Sequence, residues 1–211
     1  MDIKLKSEDS LPESASPSLR NHETLTSLRR VDESALPALA RSVVETFTLE
    51  RRIIEAPSVP QTSLLNEKAA CFISIKTFER ELRGCVGTIE PGCSTLAEEI
   101  IANAIKAATR DPRFPTISAA ELPFLHYSVD VLSRPEPARF DELDPKTFGV
   151  IVEDGFGLRR GLLLPDIEDI KTAAQQIQVA ARKAEIPLGD PLKLYRFRVR
   201  RFSESLYNFN S

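Results

Sequence analysis

The heptapeptide Leu82-Arg83-Gly84-Cys85-Val86-Gly87-Thr88 holds two of the chain's eight glycines, one of its three cysteines and an arginine. A thiolate is the reactive form of cysteine, and a neighbouring cation favours it. Arg83 lies two positions from Cys85, so the two share a strand face if no bulge intervenes. Gly84 and Gly87 carry no side chains, which would let a ligand approach the backbone and leave amide N–H groups free for an oxyanion. This pattern describes a nucleophile or covalent attachment point at Cys85, with Arg83 lowering its pKa or binding an anionic group. The plainer reading is a small buried thiol in a tightly packed hairpin, because free cysteine is among the most buried residue types.

The usual companions of a catalytic cysteine are sparse. A Cys–His pair needs a base, and the only histidines are His22, in a polar N-terminal stretch, and His126, at the start of an alternating segment. Cys71 and Cys93 complete no zinc-binding spacing with Cys85. No phosphate-binding loop and no dinucleotide fingerprint occurs, so the sequence implies no cofactor and no metal. Asp111 and Arg113, in Asp-Pro-Arg-Phe-Pro at 111–115, either pair locally or project into a cleft, Arg113 then binding an anion. Arg196, Arg198 and Arg200 form a row that reads as a solvated face or an anion-binding strip.

Local patterns predict the elements that position these residues. Residues 70–76 alternate, with Cys71, Ile73 and Ile75 on one face, and form an antiparallel hairpin with the heptapeptide. Thr95-Leu-Ala-Glu98 is a capping box opening an alanine-rich helix that ends at the Asp-Pro-Arg-Phe-Pro turn. A strand follows over 122–132, and a second hairpin joins 150–153 to 159–164 through a glycine-bearing turn. Thr172-Ala-Ala-Gln175 caps another helix, and residues 194–202 form one half-buried strand. Upstream, Asp32 or Ser34 caps a helix running to about Ile54, with Pro37 in its first turn. Residues 1–30 are expected to be a polar, flexible tail, leaving 31–211 as the folded domain.

Composition narrows the function classes. The 42% hydrophobic and 28% charged residues describe an ordinary globular chain. A net charge of −3 and a pI near 5.6 disfavour a nucleic-acid partner. No apolar run approaches membrane-spanning length, and the first residues lack the apolar core of a secretory signal. Three cysteines without a C-x-x-C pair fit free thiols in a reducing cytoplasm.

Several blocks together resemble one family. Leu82 to Thr88 is similar to the signature of the AMMECR-domain family, also called AmmeMemoRadiSam system protein A. The Asp111–Pro115 turn resembles its Asp-x-Arg-Phe-Pro motif. Glu121-Leu122-Pro123 with Ser128-Val129-Asp130-Val131-Leu132, then Gly161-Leu162-Leu163-Leu164-Pro165, Arg182-Lys183-Ala184 and Leu194-Tyr195-Arg196-Phe197, follow in the family's order. The resemblance implies an α+β domain of two unequal lobes, mainly antiparallel sheets flanked by helices, with the glycine-cysteine strand near a cleft between the lobes. The family's activity is unassigned, and its naming implies association with a Memo-like protein and a radical-SAM protein. The cysteine, arginine and glycines gathered in one strand add the expectation of an enzyme or enzyme component acting on a small molecule or a protein side chain. The competing expectation is a non-catalytic adaptor in which Gly84-Cys85-Val86-Gly87 only packs. Many relatives carry a cysteine where Ala181 stands, and its absence argues against a mechanism needing that thiol.

Overall fold

The computed structural model describes residues 17–61, 63–187 and 189–205. In chain order its elements are α1 (Pro17–Glu50), β1 (Cys71–Thr77), β2 (Leu82–Gly87), α2 (Leu96–Thr109), β3 (Leu125–Leu132), β4 (Glu136–Pro137), β5 (Gly149–Asp154), β6 (Arg160–Leu163), α3 (Ala173–Lys183), β7 (Leu192–Phe197) and β8 (Val199–Ser203). The strands form two antiparallel sheets, ordered β2-β1-β3-β8 and β4-β7-β5-β6. The first sheet and α1 and α2 make the larger lobe, and the second sheet and α3 make the smaller. This is the α+β, two-lobed architecture expected.

Alternation in β1 and β3 builds the larger core. Ile73, Ile75, Tyr127 and Val129 turn the same way and meet Leu36, Ala40 and Val43 of α1 and Leu96, Ile100 and Ala104 of α2. Thr95 caps α2 as predicted: its hydroxyl accepts from the Glu98 N–H while Glu98 reaches back to the cap. The second lobe repeats the scheme on a smaller scale, with Val150, Val152 and Leu163 against Ala180 and Ala181 of α3. Ala181 is thus a buried core position. Thr172 caps α3 by the same reciprocal pair of hydrogen bonds.

Between the lobes a third cluster joins Ala70, Leu132, Ile151, Leu162 and Phe197, with Phe72, Tyr195 and Val199 packed against it. It forms because β1 and β7 bury both faces. Cys71, Ile73 and Ile75 face the helices, whereas Phe72 faces the other lobe. Phe197 is fully buried there, and burying a side chain of that size contributes about 1.5–3 kcal/mol, so this junction is a packed contact.

Three expectations change. α1 starts at Pro17 and continues past Asp32 and Ser34, so Pro37 lies inside it. No proline or glycine separates Pro17 from Pro37 to stop the helix, and proline is tolerated as a first helical residue. The helix stops at Glu50, before Arg51 turns left-handed at φ 56°. The first 16 residues of the expected tail lie outside the described residues. The strand expected from 122 begins at Leu125, because Leu122–Phe124 closes as a 3₁₀ turn around Pro123. The last expected strand is two strands in different sheets, β7 and β8, divided at Arg198.

Candidate functional site

β2 is an edge strand, and its exposed edge is closed by side chains. Cys85 faces Ser74 in register, and its backbone N–H points away from β1 to the Asp111 carboxylate at 2.8 Å. Arg113 donates to the Cys85 carbonyl oxygen at 3.4 Å and to both Asp111 oxygens at 2.9 and 2.7 Å. An acceptor followed by a donor along the edge mimics the ladder of a missing strand and shields the edge from pairing with another chain. The Arg113 guanidinium, with backbone N–H groups of Arg113 and Cys85, holds the Asp111 carboxyl far below the usual carboxylate range. The Asp-Pro-Arg-Phe-Pro turn is therefore a local pair that clasps the cysteine strand.

A register shift separates Arg83 from Cys85. Ile75 pairs with Gly84 and Lys76 with Leu82, so Arg83 has no cross-strand partner. Such a bulge re-aims its side chain. Arg83 grips Glu121 through Nε at 2.6 Å and Nη2 at 3.2 Å, and donates to the Pro115 carbonyl at 2.9 Å. The expected shared face does not form, and the guanidinium is committed to a carboxylate. Arg83 in turn holds the Glu121 carboxyl down at about 2. The glycines also differ from expectation. A Cβ on Gly84 would collide with the Ala107 carbonyl of α2, and one on Gly87 with the Phe72 ring and, at 2.5 Å, the Cys71 carbonyl. Both are places where backbone is closely approached by protein, and the Cys85 N–H is already taken by Asp111.

The Cys85 thiol faces a polar row. Cys85 pairs with Ser74, Ser74 with Ser128, and Ser128 with Ser203, so four cross-strand neighbours share one face of the larger sheet. The Ser74 Oγ lies 3.3 Å from the Cys85 Sγ. A non-hydrogen-bonded antiparallel pair brings side chains close in this way. One step along the strands is Asp130, buried and gripped by Arg201 at 2.7 and 2.8 Å. The serines escaped prediction because an isolated serine in a strand carries no motif. Alternation does place Ser74 and Ser128 on the faces of their strands opposite the apolar core faces, but only the register brings them together.

The other titratable candidates serve structure. Cys71 is fully buried, and burial pushes its thiol up to about 12. Burial and the nearby Glu99 raise Cys93. Glu99 is itself buried, yet hydrogen bonds from Thr88, Cys93 and Gly92 outweigh desolvation and keep its pKa low. His126 packs against Phe78 with the rings tilted by 52°, and sits 3.8 Å from Glu204, which Arg41 holds at 2.5 and 2.8 Å. In the arginine row, Arg196 and Arg198 lie over the Phe148 ring and Arg200 over Phe202. Among the described residues, no group of three or more His, Cys, Asp or Glu is placed to hold a metal ion, and no helix is long and apolar enough to cross a membrane.

A groove of about 800 Å³ opens where the lobes meet. Ala70, Ile89 and Leu132 line it from the larger lobe, and Glu153, Arg160 and Tyr195 from the smaller. None of Arg83, Gly84, Cys85, Gly87, Asp111 and Arg113 lines it. The predicted residues are brought together instead at the β2 edge.

The AMMECR1 sequence profile matches residues 37–205. A Thermotoga maritima protein is 45% identical over 162 residues, covering 76% of this chain and 92% of that protein. A Clostridium acetobutylicum protein is 42% identical over 168 residues, but those span 79% of this chain and only 35% of that longer protein. The crystal structure of an uncharacterized Pyrococcus horikoshii protein superposes with a TM-score of 0.74 at 30% identity, covering 82% of this chain and 92% of that one. The ordered motifs, the two-lobed fold and these likenesses agree, and the chain belongs to the AMMECR1 family.

Proposed function

We propose that this protein is an enzyme, or the thiol-bearing component of one, acting on a small molecule or a protein side chain at Cys85. The observation that carries the reading is the half-buried thiol with a hydroxyl 3.3 Å from its sulfur, on a strand whose backbone is clasped by Asp111 and Arg113. A fixed nucleophile is what group transfer or covalent capture requires. Ser74 can accept from the thiol or donate to the thiolate. Arg113 is the cation against the Cys85 backbone, whereas Arg83 serves through Glu121 as a positioning residue. Gly84 and Gly87 let the strand lie against α2 and Phe72. The family resemblance supplies the proposed partners, a Memo-like and a radical-SAM protein, and three free thiols fit a cytoplasmic setting.

Timed alkylation with iodoacetamide, read cysteine by cysteine by mass spectrometry, tests the reading. Cys85 is expected to label first and Cys71 last. Should Cys85 label no faster than Cys71 and Cys93, the reading fails.

One observation favours the adaptor instead. Phe156 and Leu158, on the β5–β6 turn, are 89% and 83% exposed. The Leu158 N–H donates to Asp154 at 2.8 Å, so the turn presents them in a fixed pose. Large exposed apolar side chains anchor partners. The adaptor reading prevails if Cys85→Ala leaves a reconstituted pathway active while Phe156→Ser with Leu158→Ser abolishes binding to either proposed partner.

A further inference from the structure

The interlobe groove has the size of a small-molecule site, which typically spans about 300–1,000 Å³. Its apolar surface comes from Ile89, Leu132 and the Tyr195 ring. Its charge is unevenly compensated. Both acids are engaged: Glu90 accepts from Arg160 Nη1, and Glu153 lies 3.3 Å from Arg160 Nε and 3.1 Å from Lys193 Nζ. Lys68 and Arg134 also line the groove, exposed, and neither has an ion-pair partner among the described residues. The uncompensated charge is positive.

Arg160 is the focus. Its guanidinium stands over the Tyr195 ring at 5.7 Å, and its Nε is buried without an aligned hydrogen bond. The carboxylate on its Nη1 belongs to Glu90, which reaches across from the other lobe on a side chain 67% exposed. An exposed side chain gains little from such a pair and can be displaced. We propose that the groove binds a small molecule with one carboxylate on a flat apolar body. The ligand carboxylate takes the place of Glu90's at Arg160. The body lies on Ile89, Leu132 and Tyr195, and Arg134 and Lys68 supply the outer field. A single negative charge fits better than a phosphate dianion, because Glu153 stays beside Arg160.

Titrating the full chain with 2-naphthoate and with neutral 2-naphthamide, by calorimetry and by amide chemical shifts of ¹⁵N-labelled protein, tests this. Saturable naphthoate binding is expected, about tenfold tighter than naphthamide, with shifts at Ile89, Leu132 and Tyr195. Glu90→Gln removes the internal competitor and is expected to tighten binding roughly three- to tenfold, whereas Arg134→Glu weakens it by a similar factor. The two variants lie at the surface and oppose each other, so misfolding cannot imitate the pair of results. Equal affinity for both probes, no saturable naphthoate binding, shifts confined to other regions, or Glu90→Gln that fails to tighten overturns the proposal. None of these readouts involves thiol chemistry, so the outcome is separate from that for Cys85.

Discussion

Gly84→Ala separates a packing glycine from a ligand-admitting one. The new Cβ would fall inside 3.0 Å of the Ala107 carbonyl oxygen and 3.3 Å from its carbonyl carbon. Both are helix backbone, so no side-chain rotation relieves the clash. α2 would have to withdraw from β2 by roughly 0.5–1 Å, a gap that forfeits about a quarter to a half of each dispersion contact it opens. Ala107 stands at that seam, and Ala104 and Ala108 beside it on α2 are also buried alanines, without long side chains to refill a gap. Overpacking of this kind costs about 1–3 kcal/mol, and the rigid contact places Gly84→Ala in the upper half, about 2–3 kcal/mol. With a urea slope of about 2 kcal/mol/M, the midpoint falls by about 1–1.5 M. Gly92→Ala is the control, since its Cβ would meet nothing nearer than Glu99 Oε2 at 3.9 Å, and a change within about 0.5 kcal/mol is expected. Equal midpoints for Gly84→Ala and Gly92→Ala, at unchanged slope, would refute the close strand–helix approach and return Gly84 to a role in admitting a ligand.

Three further outcomes follow from the geometry. Arg83→Met leaves Glu121 and the Pro115 carbonyl without their donor; a double-mutant cycle with Glu121→Gln should give a coupling of about 1–3 kcal/mol, while the pH profile of Cys85 alkylation stays put, and a shifted profile would mean that Arg83 acts on the thiol after all. Glu121, lowered from 4.5 to about 2, contributes stability that is complete above pH 4.5 and is lost as the pH falls through about 2; urea midpoints of Glu121→Gln should therefore fall less steeply over that interval than those of the parent, and parallel curves would contradict the linkage. The buried Tyr127 hydroxyl has no hydrogen-bond partner among the described residues, so Tyr127→Phe should be neutral or stabilising by about 1 kcal/mol, and a clear loss of stability would point to an uncounted partner.

Local chemistry made much of the fold legible. The capping boxes at Thr95 and Thr172 depend on four consecutive residues, and both form. The alternation of Cys71, Ile73 and Ile75 named the core face of β1 because strand geometry alone sets which way neighbours point. Glycines at 84 and 87 correctly marked a close approach, but the approaching groups are a helix carbonyl and an aromatic ring. That part was hidden because the partner of a glycine is chosen by elements distant in the chain.

What only the tertiary structure decided is where each long side chain ends. The sequence by itself determined the two capped helices, the hairpin carrying Cys85 and the family, and left Asp111 and Arg113 open between a local pair and a cleft. It could not foresee that a one-residue bulge sends Arg83 to Glu121, 38 residues away, or that Arg41 closes on Glu204 across 163 residues. It could not tell that β7 and β8 leave one sheet for the other at Arg198, nor that Glu90 crosses the groove to Arg160. Helix caps and hairpin turns are satisfied within a few residues and leave a pattern in the chain. Ion pairs, bulges and interlobe contacts are satisfied by whatever the packing brings within about 3 Å, and only the folded chain specifies that.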